Sequence, residues 1–216
     1  MLLLAADTSG KNGSIALAQC EPGGACDVLE VSPLQGGTFS AQLIPQIAAL
    51  LARHGFSKKD IGGFAVASGP GSFTGLRVGL AGIKALAEVT GKPIAAVSLL
   101  EAVASMSRSH GKLTPVLDAG RREVYFAEYE NGELTSSEQV TSQDNFTPSG
   151  TVVTPDGNVA DFFRTKDIPL EQIERPQSDV IASLGWGKIL SGSIVTSEAL
   201  DANYVRRTDA EILIKP

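Results

Sequence analysis

Histidine, cysteine and tryptophan are the scarce residues of this 216-residue chain, at two, two and one. His54 and His110 stand far apart, and no HxxxH or HExxH spacing exists to place two ligands on one helix face. Metal catalysis is therefore not expected, and each histidine reads as a surface or helix-end residue. Cys20 and Cys26 flank a hairpin-like loop, Glu21-Pro22-Gly23-Gly24-Ala25, across which they are placed to face each other. The apolar start, Met1 to Ala6, lacks a basic segment and meets Asp7 at once, so it reads as a strand rather than a secretory signal, and free thiols are expected. Long hydrophobic runs are missing too: none approaches the ~20 residues of a membrane span. Positive charge is in deficit, with 18 Lys and Arg against 24 Asp and Glu and a net charge of −6. Only Arg121-Arg122 and Arg206-Arg207 are adjacent arginine pairs. This argues against autonomous nucleic-acid binding, whose affinity is carried by clustered Lys and Arg, and any such contact is expected to run through a partner.

What is present is an apolar share of 43% and 23 glycines, enough for one compact unit or two small lobes. The coarse pattern is strand (Leu2 to Ala6), strand (Ser14 to Gln19), strand (Asp27 to Val31), helix (Phe39 to His54), strand (Gly63 to Ala67), helix (Phe73 to Thr90) and strand (Ile94 to Val97), then a short helix from Leu99 to Ser107. It restarts with an apolar strand, Leu113 to Leu117, that ends at Asp118 as the first ends at Asp7. Two strands follow, joined by an Asn131-Gly132 turn. Between Thr141 and Arg175 the prolines and Gly/Asn turns leave room for one short strand and one short helix. A last helix spans Ser178 to Leu190. The lobe boundary falls after residue 98, giving 1–98 and 99–216.

The segment Ser68 to Gly79, SGPGSFTGLRVG, joins a buried strand to a long helix through a Gly-Pro-Gly turn. Ser72 is placed to cap that helix, whose unpaired N–H groups attract anions, but no Walker lysine follows the last glycine. Gly75, Gly79 and Gly82 each cost ~1 kcal/mol relative to alanine in a helix, a cost borne where another backbone approaches closely. The first helix is apolar around nearly its whole circumference from Leu43 to Ala52, interrupted by Gln46, so it must be covered on both sides. Pro45 lies either in its first turn or at a kink. Ser72 and Thr74 have no histidine near them in sequence, and GPGSFTG departs from the G-x-S-x-G elbow, so covalent catalysis is not expected.

Residue by residue, SGPGSFTGLRVG resembles the TsaB family, the bacterial accessory proteins of tRNA threonylcarbamoyladenosine formation, related to the glycoprotease-like TsaD proteins. The resemblance extends to MLLLAADTSGKNGSIALA at the start, LIP at Leu43 to Pro45, DAGRREVYFAEY at Asp118 to Tyr129 and NYVRR at Asn203 to Arg207. It implies an α/β fold of the actin-like, Hsp70-like ATPase (ASKHA, RNase H-like) class, with two lobes of mixed sheets, the second reduced. It implies a cytoplasmic, non-catalytic scaffold that binds a TsaD-like partner, with a TsaE-like ATPase joining the pair. The tRNA would be met only through that complex, nucleotide would be taken only there, and a homodimer would use the same surface. The implied interface is the helix pair, with Phe39, Leu43, Ile44, Ile47, Ala48, Leu51, Gly75, Leu76, Gly79, Leu80 and Ile83. Phe39 departs from the histidine that many family members carry there. A vestigial nucleotide or anion site would comprise Asp7, Thr8, Ser9, Gly71, Ser72 and Asp118. The alternative is a small ATP-dependent phosphotransferase that holds Mg²⁺ through Asp7 and Asp118, although both aspartates also read as turn caps, Asp118 by pairing with Arg121 or Arg122.

Overall fold

The computed structural model describes residues 1–205. They divide into two compact units, Met1–Ala102 with Pro176–Ala202, and Val103–Arg175 with 203–205. The arginine pair Arg206-Arg207 lies outside the described residues.

The first unit is built on a five-stranded sheet of order β3-β2-β1-β4-β5. Its strands are β1 (Leu2–Asp7), β2 (Gly13–Cys20), β3 (Cys26–Leu34), β4 (Ile61–Gly69) and β5 (Ile94–Ser98). β1 runs antiparallel to β2 and parallel to β4. β1 and β4 read as unbroken apolar runs because both of their faces are covered. Alternation sorts the cover. Leu2, Leu4, Ala6, Phe64 and Val66 pack with the buried stripe of α1 (Phe39–Arg53) and α2 (Phe73–Thr90). The opposite face takes α5 (Ser178–Leu190), whose Gly185 sits so close that a Cβ would lie 2.3 Å from that of Ala65.

A division after residue 98 follows chain order and sends this last helix to the second lobe. Packing returns it to the first, because the odd-numbered face of β1 and β4 needs an apolar cover. Ser14 and Ser178 fix its start: the Ser178 N–H donates to Ser14 Oγ at 2.9 Å, and Ser178 Oγ donates to the Ser14 carbonyl at 2.6 Å. The edge of β5 is closed by an antiparallel bridge in which the Val195 N–H donates to the Ile94 carbonyl at 2.9 Å.

One expectation is corrected here. Cys20 and Cys26 are register partners at the end of the β2–β3 ladder and form a disulfide rather than two free thiols. Pairing brings their Cα atoms to 4.1 Å, which spacing along the chain alone does not dictate. Of the two places open to Pro45, the structure gives the one beyond the first turn: it lies in the interior of α1, on its exposed side.

The second unit repeats the plan on a smaller scale. Its strands are β6 (Lys112–Gly120), β7 (Glu123–Phe126), β8 (Tyr129–Glu130), β9 (Glu133–Leu134), β10 (Gln139–Ser142), β11 (Thr151–Thr154) and β12 (Leu170–Gln172). The order is β10-β7-β6-β11-β12, with β8 and β9 as a side hairpin on β6. α4 (Gly157–Arg164) covers a core of Val116, Val124, Val152, Val159 and Phe163. β12 is one strand more than the sequence predicts after Thr141, because three residues behind Pro169 are too few to show a period. α3 (Leu99–Ser105) spans the division between the units. No helix among the described residues is long and apolar enough to cross a membrane.

Candidate interaction surface

The turn after β1 positions everything on this side of the first unit. Asp7 is buried, and its Oδ1 accepts the Ser9 N–H at 2.8 Å, the turn cap that the sequence allows. The Ser9 carbonyl accepts the Ser72 N–H at 2.7 Å, and Thr8 Oγ1 donates to the Gly75 carbonyl at 2.7 Å. Ser72 caps α2 as expected, its Oγ accepting the Gly75 N–H at 3.3 Å. The glycines of the α2 N-terminal half answer to this turn. A Cβ on Gly75 would lie 2.0 Å from the Thr8 carbonyl oxygen, one on Gly79 2.4 Å from Thr8 Oγ1, and one on Gly71 2.7 Å from the Ser9 carbonyl oxygen. Gly82 serves the helix pair instead, its virtual Cβ lying 2.7 Å from Leu43 Cδ2. α1 thus packs on α2 at Gly82 through the Leu43 side chain, while the expected approach of another backbone is met at Gly75, where the β1 turn comes in, with the Thr8 side chain at Gly79.

This changes which residues face outward. Phe39, Leu43, Ile47, Leu51, Gly75, Leu76, Gly79, Leu80 and Ile83 are all buried within the unit. Ile44, 47% exposed, and Ala48 are the named interface residues that reach the surface. Beside them lie exposed side chains that the sequence reading leaves out: Ser40, Phe73 (40% exposed), Thr74 and Ala81, with Arg77 close by. Together with Leu43, Val78 and Gly82 they line an open, mostly apolar groove of about 580 Å³ between the two helices. The Arg77 guanidinium lies 3.8 Å over the Phe73 ring. The missed signal was phase. Ser40, Ile44 and Ala48 repeat at four residues, as do Phe73, Arg77 and Ala81, and both stripes run opposite the buried ones. α1 is therefore covered on one side only by its own unit. Its C-terminal end is tied to β3 through Glu30, held at about 2 by the Arg53 guanidinium, the Ser32 hydroxyl and His54, whose Nε2 is 2.9 Å away.

Asp118, the counterpart of Asp7, lies in the second unit and is exposed. The expected pairing with Arg121 or Arg122 is not formed. Arg121 and Arg122 take positive φ, 56° and 62°, in the β6–β7 turn, and Arg122 pairs with Asp144 at 3.0 Å. Asp118 Oδ1 instead accepts the Gly120 N–H at 2.8 Å, and Oδ2 accepts Asn158 Nδ2 at 3.0 Å. Each aspartate thus serves a turn of its own unit. Among the described residues no group of three or more His, Cys, Asp or Glu is placed to hold a metal ion.

The model of the TsaD family, described as tRNA N6-adenosine threonylcarbamoyltransferase, matches residues 35–160, more than half of the chain and all of α1 and α2. The chain is 35% identical over 148 residues to the tRNA threonylcarbamoyladenosine biosynthesis protein TsaB of Bacillus subtilis. It belongs to the TsaB (YeaZ-like) family. The Bacillus match covers 67% of this chain and 62% of that protein. The TsaB of Escherichia coli is 33% identical over 136 residues, covering 62% of this chain and 57% of that one. The chain thus spans less than two thirds of the length of these TsaB relatives. A crystal structure from Pseudomonas aeruginosa, of a protein described as similar to the peptidase YeaZ, superposes with a TM-score of 0.79 at 25% identity, over 95% of this chain and 99% of that one. The fold is accordingly the two-lobed ASKHA, RNase H-like α/β fold, with the second lobe reduced.

Proposed function

We propose that this chain takes part in tRNA threonylcarbamoyladenosine biosynthesis as a cytoplasmic, non-catalytic scaffold. The outer face of α1 and α2 docks a TsaD-like protein, which carries out threonylcarbamoyl transfer to the tRNA adenosine beside the anticodon. A TsaE-like ATPase joins that pair, tRNA is met through the complex, and the isolated chain needs no cofactor of its own. The same face serves a homodimer when the partner is absent. Family membership supports the pathway. The observation that carries the docking role is the apolar groove lined by Ile44, Phe73 and Ala81, with Ala48 exposed a turn further along α1, a surface its own unit leaves uncovered. Turn-capping by Asp7 and Asp118 gives the phosphotransferase alternative no support.

The test is co-expression with the TsaD-like protein of the same genome, read by size-exclusion chromatography with light scattering and by tRNA modification. Ile44→Asp and Ala48→Arg are expected to leave the melting temperature within about 2 °C, since exposed substitutions shift stability by roughly 0.5 kcal/mol or less. They are expected to weaken the heteromer at least tenfold. Full assembly by both variants removes the helix face from the reading. Tight Mg-ATP binding by the isolated chain, lost in Asp7→Asn, replaces the scaffold with the phosphotransferase.

A further inference from the structure

The Cys20–Cys26 disulfide plays no part in the docking surface, and its surroundings suit a reversible bond. The ladder it closes stands without it, running through the register from Gly13↔Leu34 to Gln19↔Asp27. The closed loop is short, with a sequence separation of six, so opening the bond releases little chain. The loop residues 21–25 are all exposed and Cys26 is half-buried, so a small thiol would approach from the Cys26 side, while Cys20 is buried. The loop is also wired to the far side of the sheet. Trp186, the single tryptophan of the chain and 6% exposed in α5, donates its indole N–H to the Gly24 carbonyl inside the loop at 3.2 Å. Within the loop the Gly24 N–H returns to the Glu21 carbonyl at 3.0 Å, and Gly23 takes φ +73°.

We propose that Cys20 and Cys26 form a thiol–disulfide latch that responds to the glutathione couple and sets how firmly the 21–25 loop holds Trp186 and α5. In the opening direction a glutathione thiolate attacks Cys26 Sγ. A sulfur–sulfur bond forms to glutathione, the Cys20–Cys26 bond breaks, and its electron pair leaves on Cys20 Sγ, which takes up a proton. A second glutathione thiolate attacks the glutathione sulfur of the mixed disulfide and frees Cys26 as the thiol. The sum is one protein disulfide and two glutathiones giving two protein thiols and one glutathione disulfide, a transfer of two electrons. Closure is the reverse. The open form keeps the ladder but loses the covalent end of the hairpin, so the loop and its bond to Trp186 loosen first.

The experiment equilibrates the full chain in buffers of graded reduced-to-oxidised glutathione ratio, counts free thiols by alkylation and mass spectrometry, and records tryptophan emission alongside. The expected result is one reversible two-electron transition in which emission shifts to the red as the thiols appear, with faster amide exchange confined to 21–25 and the turn of α5 around Trp186. Cys20→Ser and Cys26→Ser are expected to show the red-shifted emission at every ratio. If either fails to fold, the titration of the unaltered chain decides alone. A bond that stays closed in excess reduced glutathione, thiols that stay free in excess oxidised glutathione, or an emission that ignores the thiol count each overturns the latch.

Discussion

The two units share one sheet plan and differ in what was kept around it. In both, the first strand lies at the centre with an aspartate at or near its end, antiparallel to the next strand and parallel to one reached later in the chain, β4 or β11. The first unit inserts α1, 15 residues long, before its second parallel strand and α2, 18 residues long, after it. The second unit has a three-residue helical turn at the first place and the eight-residue α4 at the second. The shared plan suffices to build a core, since Val116, Val152, Val159 and Phe163 are fully buried with one short helix over them. The long helix pair of the first unit exceeds what its core requires. Surplus apolar surface, rather than the duplicated chassis, is where the two units diverge in use.

The largest expected break in this comparison comes from glycine. Gly79→Leu forces a branched side chain into Thr8 and is expected to cost roughly 3 kcal/mol or more, read by urea unfolding. Gly157→Ala, at the start of α4 in the second unit, meets only Gln172 Nε2 at 3.8 Å and is expected to be neutral or stabilising by up to about 1 kcal/mol. A similar loss at both sites would show that the close approach of α2 to the β1 turn is not what separates the units. Next in size, Ser178→Ala removes the hydroxyl that donates to the Ser14 carbonyl, while the N–H of residue 178 still reaches Ser14 Oγ, with an expected loss of about 1 kcal/mol.

In the second unit, burial raises the Glu171 carboxyl, but donation from Ser107 Oγ, the Arg108 N–H, and the Ser109 hydroxyl and N–H outweighs it and holds the group at about 2. Because the folded value lies below the ordinary 4.5, this carboxylate stabilises the fold above about pH 4.5, and that contribution disappears as pH falls towards 2. Glu171→Gln is expected to be less stable at neutral pH and to lose part of the stability slope between those values, measured by denaturation at stepped pH. The smallest effect has the opposite sign. Thr114 Oγ1 is buried on β6 without a hydrogen-bond partner, so Thr114→Val is expected to leave stability unchanged or raise it by about 1 kcal/mol.

Most of this architecture was legible in the sequence because strands and helices announce themselves by period and by turn residues. Phe73 to Thr90 and Ser178 to Leu190 are found where the pattern predicts them, as is Asp7 at the end of β1, whereas β6 runs on past Asp118 to Gly120. The turn role of Asp7 was legible too, since its partner lies two residues away. What escaped depends on distant contacts. The placement of α5 on the first sheet rests on Gly185 against Ala65 and on Ser14 meeting Ser178, 164 residues apart. The buried side of α1 could not be told from its exposed side by hydrophobicity, because Ile44 and Ala48 are as apolar as Leu43 and Ile47. The disulfide depended on register, which a loop of glycine and proline leaves open.

The bridge of Val195 to Ile94 reaches beyond the fold itself. An open strand edge offers unpaired N–H and C=O groups to any other chain, and on β5 that row is interrupted at its first residue, where the Val195 N–H takes the Ile94 carbonyl. The opposite edge, β3, is defended differently, by Pro33, which has no N–H to give, by the irregular register beside Leu29, and by the charge of Glu30. Both rims of the five-stranded sheet thus carry features that oppose strand-to-strand aggregation, while the exposed face of α1 and α2 leaves the first unit an apolar surface that is not a strand edge.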